Sequence, residues 1–133
     1  MKEFVDPKYP HSELTAAIIA SATEVHSDLR PGLDEVMYER AMCIEFAERS
    51  ILFSQQSVFP VHYKNRFLGN LIPDLIVQEK VIVDLKVVDA FNDTHIAQML
   101  GYLNITGLEI GLLINFKHAK LQIKRVANLN KPT

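Results

Sequence analysis

The stretch IPDLIVQEKVIVDLKVV, residues 72–88, decides how the chain folds. Val, Ile and Leu dominate it, and the pattern predicts two strands, 72–77 and 81–88, joined by a turn. Asp84 and Lys86 interrupt the apolar run. An unpaired charge in such a strand would cost on the order of several kcal/mol or lose its ionisation, so something must compensate both. The apolar pattern also sets the register. If Val77 pairs with Val81 across Gln78, Glu79 and Lys80, then Asp74 lies opposite Asp84 and Ile76 opposite Ile82. Pro73, Leu75, Val77, Val81, Val83 and Leu85 then make one wholly apolar face. A two-residue loop would put the two aspartates on opposite faces and scramble both patterns, so the three-residue loop is expected although it lacks the usual Gly.

The chemical consequence is a pair of carboxylates with Cβ atoms about 5 Å apart, and Lys86 projecting from the same face two residues along. Two carboxylates that close repel unless a cation sits between them or one takes up a proton. A hard divalent ion with oxygen ligands, Mg²⁺ or Mn²⁺, fits such a pair. An ammonium beside it could hold an attacking water or stabilise charge developing on a phosphoryl group. An Asp–Lys–Asp ion cluster that holds no ligand accounts for these three residues equally well.

Working outward, residues 12–29 carry Leu14, Ile18, Ala22, Val25 and Leu29 at three- and four-residue spacing, the mark of an amphipathic helix that Arg30, Pro31 and Gly32 stop. A second helix, 33–50, sets Leu33, Met37, Ala41 and Ile44 on one stripe and Glu35, Tyr38, Met42 and Glu45 on an adjacent one. Strands are expected at 57–63 and 66–68 before the central hairpin. A third helix follows it, capped by Asn92, Asp93 or Thr94, buried through Ile96, Met99, Leu100 and Leu103, and closed by Gly107. Strands at 108–116 and 119–126 form a second, tight hairpin. Helix, helix, three or four strands, helix, two strands make an α/β or α+β sandwich around a single mixed sheet.

The 133 residues, 48% apolar and 23% charged, suit one soluble domain, with 1–11 and 127–133 as flexible tails. Cys43 is the sole cysteine, so no intrachain disulfide can form. The charged start lacks the apolar core of a signal peptide and no run of about 18 apolar residues occurs, so a cytoplasmic protein with no membrane partner is expected. Net charge is −2, which gives no general push toward nucleic acid. The distribution is uneven: Lys117, Lys120, Lys124, Arg125 and Lys131 follow Ile110 with no acid among them. They read equally as a local basic edge for a polyanion or as a solvated strand and tail.

Two further groups draw attention. His95, Gln98 and Tyr102 share one face of the third helix, which alone reads as a polar helix edge. Gly32, Glu35 and Tyr38 open the second helix, where Glu35 could simply favour the helix dipole. His26, His62, His118 and Cys43 show no metal-ligand spacing and read as structural or surface residues.

Together these residues resemble a known family. EVHSDLRPGLDEVMY is similar to the signature of the GxxExxY family of small bacterial and archaeal proteins, here Gly32, Glu35 and Tyr38. The resemblance continues through 73–86 and GLLINF at 111–116, covering about 14–126. It implies a PD-(D/E)xK nuclease-like domain, restriction-endonuclease-like, with a mixed central sheet flanked by helices. Pro73 and Asp74 match the PD element, Asp84, Leu85 and Lys86 the (D/E)xK element, and Gln98 and Tyr102 a QxxxY helix motif.

The resemblance implies Asp74, Asp84 and the Leu85 carbonyl as ligands of Mg²⁺ or Mn²⁺, with Glu35 completing the shell directly or through water. Lys86 would orient or activate the water and stabilise the transition state; Gln98 and Tyr102 would support the site or touch the phosphate backbone. Arg30 departs from the pattern, standing where the family often has Gly. The function implied is a metal-dependent nuclease acting on DNA rather than RNA, as a homodimer or with a partner protein. The alternative is a non-catalytic nucleic-acid-binding or assembly protein on the same fold.

Overall fold

A computed structural model describes residues 10–128 of the protein. In chain order the elements are α1 (Ser12–Leu29), α2 (Glu35–Glu48), β1 (Phe53–Gln55), β2 (Phe59–Tyr63), β3 (Arg66–Leu71), β4 (Leu75–Val77), β5 (Val81–Lys86), α3 (Asp93–Thr106), β6 (Ile110–Asn115) and β7 (Gln122–Ala127). Five strands form one sheet in the order β1-β4-β5-β6-β7. Only β5 and β6 run parallel, and α3 is the crossover that a parallel pair requires. Ala127, expected in the C-terminal tail, closes β7, and His11 directly precedes α1. The remainder of the expected tails, 1–9 and 129–133, lies outside the described residues.

The central hairpin has the expected register, with Val77 opposite Val81, Ile76 opposite Ile82 and Leu75 opposite Val83. Its three-residue loop carries no Gly, yet Gln78 (φ 51°) and Glu79 (φ 57°) adopt left-handed backbone. The apolar face of this hairpin, with Ile110, Leu112, Ile114 and Phe116 of the β6 segment, packs on Ile18, Ala22 and Val25 of α1 and on Tyr38, Met42 and Phe46 of α2. Each of the three α2 side chains is fully buried, worth roughly 1.5–3 kcal/mol apiece. On the other face Ile76, Ile82 and Leu113 pack on Met99, Tyr102 and Leu103 of α3. Helices therefore cover both faces, and the hairpin's charged positions lie on the α3 side.

The structure selects between the two stripes of α2, and two expectations need correction. The stripe of α2 that turns inward is the second one: Met37 and Ile44 are 49% and 63% exposed. Aromatic contacts decide this, since Tyr38 stacks on Phe116 with ring centroids 4.6 Å apart and Phe46 meets Phe53 at 5.8 Å. The Asp34 side chain caps the helix by accepting the Met37 N–H at 3.1 Å, so α2 starts at Glu35 rather than Leu33. On α3, Leu100 is exposed rather than buried.

The sheet is also not single. β2 and β3 pair only with each other, for Pro60 in β2 has no N–H to place in a central ladder. β3 is longer than expected, and β1, unforeseen, takes the edge beside β4. The strand expected at 72–77 begins only at Leu75, because Pro73 cannot donate to the ladder. The second hairpin is not tight. Asn115 pairs with Gln122, leaving 116–121 as its loop. The buried Asn115 amide donates to the Val88 carbonyl at 2.8 Å, and its oxygen accepts from Val88 N–H at 3.1 Å, drawing the chain away from the sheet after Lys86.

Candidate active site

The site forms where β4 leaves the ladder. Extending the hairpin register sets Pro73 opposite Leu85, and Pro73 has no N–H to offer. The Asp74 side chain replaces the missing ladder contact on one side: its Oδ2 accepts the Leu85 N–H at 3.0 Å. The Asp74 carbonyl accepts the Gln56 N–H at 3.0 Å, which ties the end of β1 to the same point. Across the hairpin, Asp84 is 3% exposed and within hydrogen-bonding reach of Asp74. The Lys86 ammonium lies 3.1 Å from Asp84 Oδ2 and donates to Gln98 Oε1 on α3 at 3.4 Å. The Lys86–Asp84 contact has ion-pair distance but not hydrogen-bond alignment, so Asp84 Oδ2 is a buried oxygen with no donor.

Burial, followed by the hydrogen bond and negative charge of Asp84, pushes the Asp74 pKa up to about 7, against the opposing Leu85 N–H and Lys86. Asp74 thus retains a proton well above the ordinary carboxylate range, and the hydrogen bond to Asp84 shares it. Burial chiefly, then the charge of Asp74, also raises Glu35, with Lys86 lowering it and Glu39 raising it further. Tyr102, buried against Ile76 and Ile82, is raised by burial and then by Asp84 and Asp74.

Asp74, Asp84, Lys86 and Gln98 are brought together, and Tyr102 sits within charge range of both aspartates. Glu35, in the first turn of α2, feels Asp74 and Lys86 from the rim. It does not close a triad, since among the described residues no group of three or more His, Cys, Asp or Glu side chains is close enough to hold a metal ion. His95 lies on the same helix but is engaged in capping. Its Nδ1 accepts the Asn92 N–H at 3.2 Å while Asn92 Oδ1 accepts the His95 N–H at 2.9 Å, a capping box for α3.

Tyr38 is structural: its hydroxyl donates to the Arg30 carbonyl at 2.6 Å and accepts the Leu33 N–H at 3.3 Å, pinning the turn between α1 and α2. His26 and His118 hold the loop after β6, as Nε2 of His26 meets the His118 carbonyl at 2.8 Å. Sequence reasoning missed Glu39, a buried carboxylate one turn beyond Glu35. It accepts from Gln55 Nε2 at 2.6 Å and from Gln56 Nε2 at 3.1 and 3.2 Å. The i,i+4 spacing from Glu35 and the adjacent amides of Gln55 and Gln56 were the available signal. A cleft of about 520 Å³ lies away from this site, lined by His26, Arg30 and Lys120 among others.

Two carboxylates sharing a proton and a buried carboxylate oxygen without a donor fit a small hard cation, which would replace the proton and serve the orphaned oxygen. Fold and site together define a restriction-endonuclease-like α/β protein whose PD and DxK elements meet across one hairpin. The chain belongs to the PD-(D/E)XK nuclease superfamily, whose family model matches residues 12–126. The crystal structure of SSO0001 is similar in fold, with a TM-score of 0.51 and 9% identity over 80% of this chain and 60% of that one. This chain therefore spans 60% of the length of that protein. No curated protein gives a significant match. No helix among the described residues is long and apolar enough to cross a membrane.

Proposed function

We propose that the protein is a divalent-metal-dependent nuclease that hydrolyses phosphodiester bonds, in DNA rather than RNA. The observation that carries this reading is the facing pair Asp74 and Asp84 with Lys86 held between Asp84 and Gln98. Asp74 and Asp84 would hold Mg²⁺ or Mn²⁺, with the Leu85 carbonyl as a third ligand; Pro73 opposite leaves that carbonyl no ladder donor. Glu35 would complete the shell through water. When bound, the ion supplies Lewis-acid stabilisation of phosphoryl charge and lowers the pKa of water at the site.

The chain's own groups do the rest. Lys86, mostly buried and fixed at two points, keeps a cation where negative charge builds on the phosphate. Gln98 holds the ammonium in place, and Tyr102 backs the carboxylates from the α3 side. Gly32, Glu35 and Tyr38 at their spacing support a place for the chain within the GxxExxY group. A second reading, a non-catalytic nucleic-acid-binding or assembly protein, draws on the closed Lys86–Asp84 ion pair, which balances charge without a metal.

Cleavage assays on single- and double-stranded DNA and RNA with Mg²⁺ or Mn²⁺ separate the two. The nuclease reading expects Lys86→Ala to bind Mn²⁺ almost normally yet lose about 10²-fold or more in rate, the scale for removing a charge-stabilising group. Asp84→Ala should lose both binding and cleavage. A wild type inert on all four substrates with either metal would leave the second reading standing.

A further inference from the structure

The outer half of the β2–β3 hairpin stands clear of the body. Its register pairs Tyr63 with Arg66 and His62 with Phe67, so each pair occupies one face, and all of residues 62–68 are exposed. Tyr63, Phe67 and Leu68 are 62%, 60% and 66% exposed. At the tip Lys64 (φ 49°) and Asn65 (φ 64°) form the left-handed two-residue turn that matches strand twist. The His62 ring lies edge-on to Phe67 with centroids 5.7 Å apart, and Lys64 Nζ sits 5.3 Å from the Tyr63 ring. An isolated hairpin is marginal in water. This one is held at its base, where Phe59 and Leu71 pack against the cluster beneath α3.

The contacts with His62 and Lys64 brace the rings within the hairpin, one on each face, and leave most of each ring open to a partner. Charge narrows the choice. Between Glu48 and Asp74 there is no acid, while Arg49, Lys64 and Arg66 are cations, in a chain whose net charge is −2. A second copy packed on this tip two-fold would bring Lys64 and Arg66 against their own kind with no carboxylate on the hairpin to pair them. A partner with flat faces for the rings and negative charge for the cations fits, and an unstacked nucleic-acid strand has both. A duplex hides its base faces in the stack. From the tip, β3 runs about 20 Å into Pro73 and Asp74, so a strand gripped there lies within a few nucleotides of the carboxylates.

We propose that the β2–β3 tip is a finger around which single-stranded nucleic acid wraps, with bases stacking on Tyr63 on one face and on Phe67 on the other and phosphates meeting Lys64 and Arg66. Delivery of that strand to Asp74 and Asp84 rests on the nuclease reading; the grip itself does not. Binding is therefore measured in EDTA on the full chain, by fluorescence anisotropy of a labelled oligothymidylate of about 12 nucleotides, within the site size of such grooves.

Tyr63→Ala with Phe67→Ala should weaken binding about tenfold or more with unchanged melting temperature, as both rings are exposed. Lys64→Ala with Arg66→Ala should make the slope of log K against log salt shallower by about 1.4, two phosphate contacts' worth. The chain has no tryptophan, so Phe67→Trp creates a lone reporter whose emission oligothymidylate should quench and a blunt duplex should not. Equal binding by wild type and the double alanine variant would overturn the proposal. So would a change of oligomeric state in that variant, or preferential binding of the tip to vesicles of anionic lipid. Cleavage without oligothymidylate binding refutes the finger alone, and binding without cleavage refutes the nuclease alone.

Discussion

Replacing Asp74 by asparagine should abolish a specific pH dependence of stability. The Asp74 pKa rises from the ordinary 3.8 to about 7 because burial and Asp84 disfavour its charge. Between those values the folded chain holds a proton that the unfolded chain has released, so stability falls as pH climbs from about 4 through about 7. Fully desolvated, the rise would correspond to about 4 kcal/mol. Asp74 is only half-buried, and solvent screening reduces this to about 1–2 kcal/mol. The carboxamide placed there keeps an oxygen for the Leu85 N–H and offers Asp84 an N–H in place of the shared proton, at every pH. Thermal melts followed by circular dichroism in EDTA at pH 5 and pH 8 test this. Wild type should lose about 3–8 °C more than Asp74→Asn between the two pH values. Glu35 titrates in the same direction and remains in the variant, so the difference between the two proteins is the quantity that counts. Parallel losses in both, or a wild type more stable at pH 8 than at pH 5, would refute the shared-proton account.

Arg30 stands at φ 62° and ψ 169°, a region populated essentially by Gly at a cost of about 1–3 kcal/mol for other residues. After the entropy Gly loses on folding, Arg30→Gly should raise stability by about 1 kcal/mol in a urea titration, with the Tyr38 hydroxyl still bonded to the carbonyl there. A Cβ on Gly111 would come within 2.2 Å of Met99 Sδ. Because Met99 is fully buried, Gly111→Ala should cost about 1–3 kcal/mol and reduce cleavage by shifting α3, which carries Gln98 and Tyr102.

Much of this architecture is legible in the amino-acid sequence. The central hairpin can be registered because its apolar alternation tolerates one loop length, and that register alone sets Asp74 against Asp84. The phase of α2 is not legible, because Leu33, Met37 and Ile44 compete with Tyr38, Met42 and Phe46 in the sequence. The choice is made by Phe116, just after β6, and Phe53 of β1, residues from distant segments. β1 has three residues, too few to show a period. The spacing of His95, Gln98 and Tyr102 gives one helix face, but not that His95 is engaged with Asn92 as a cap, a local interaction that periodicity does not weigh. The Glu39 cluster escapes notice because its partners, Gln55 and Gln56, lie on a segment with no strand signature.

The central claim is that Asp74 and Asp84 form a cation site. Anomalous diffraction from a crystal soaked in Mn²⁺ tests it most directly. One peak between the two carboxylates, at about 2.0–2.3 Å from an oxygen of each, with Lys86 outside the coordination sphere, is the predicted result. An absent peak at saturating Mn²⁺, or a peak held by other residues with the Asp84–Lys86 pair left closed, would contradict it.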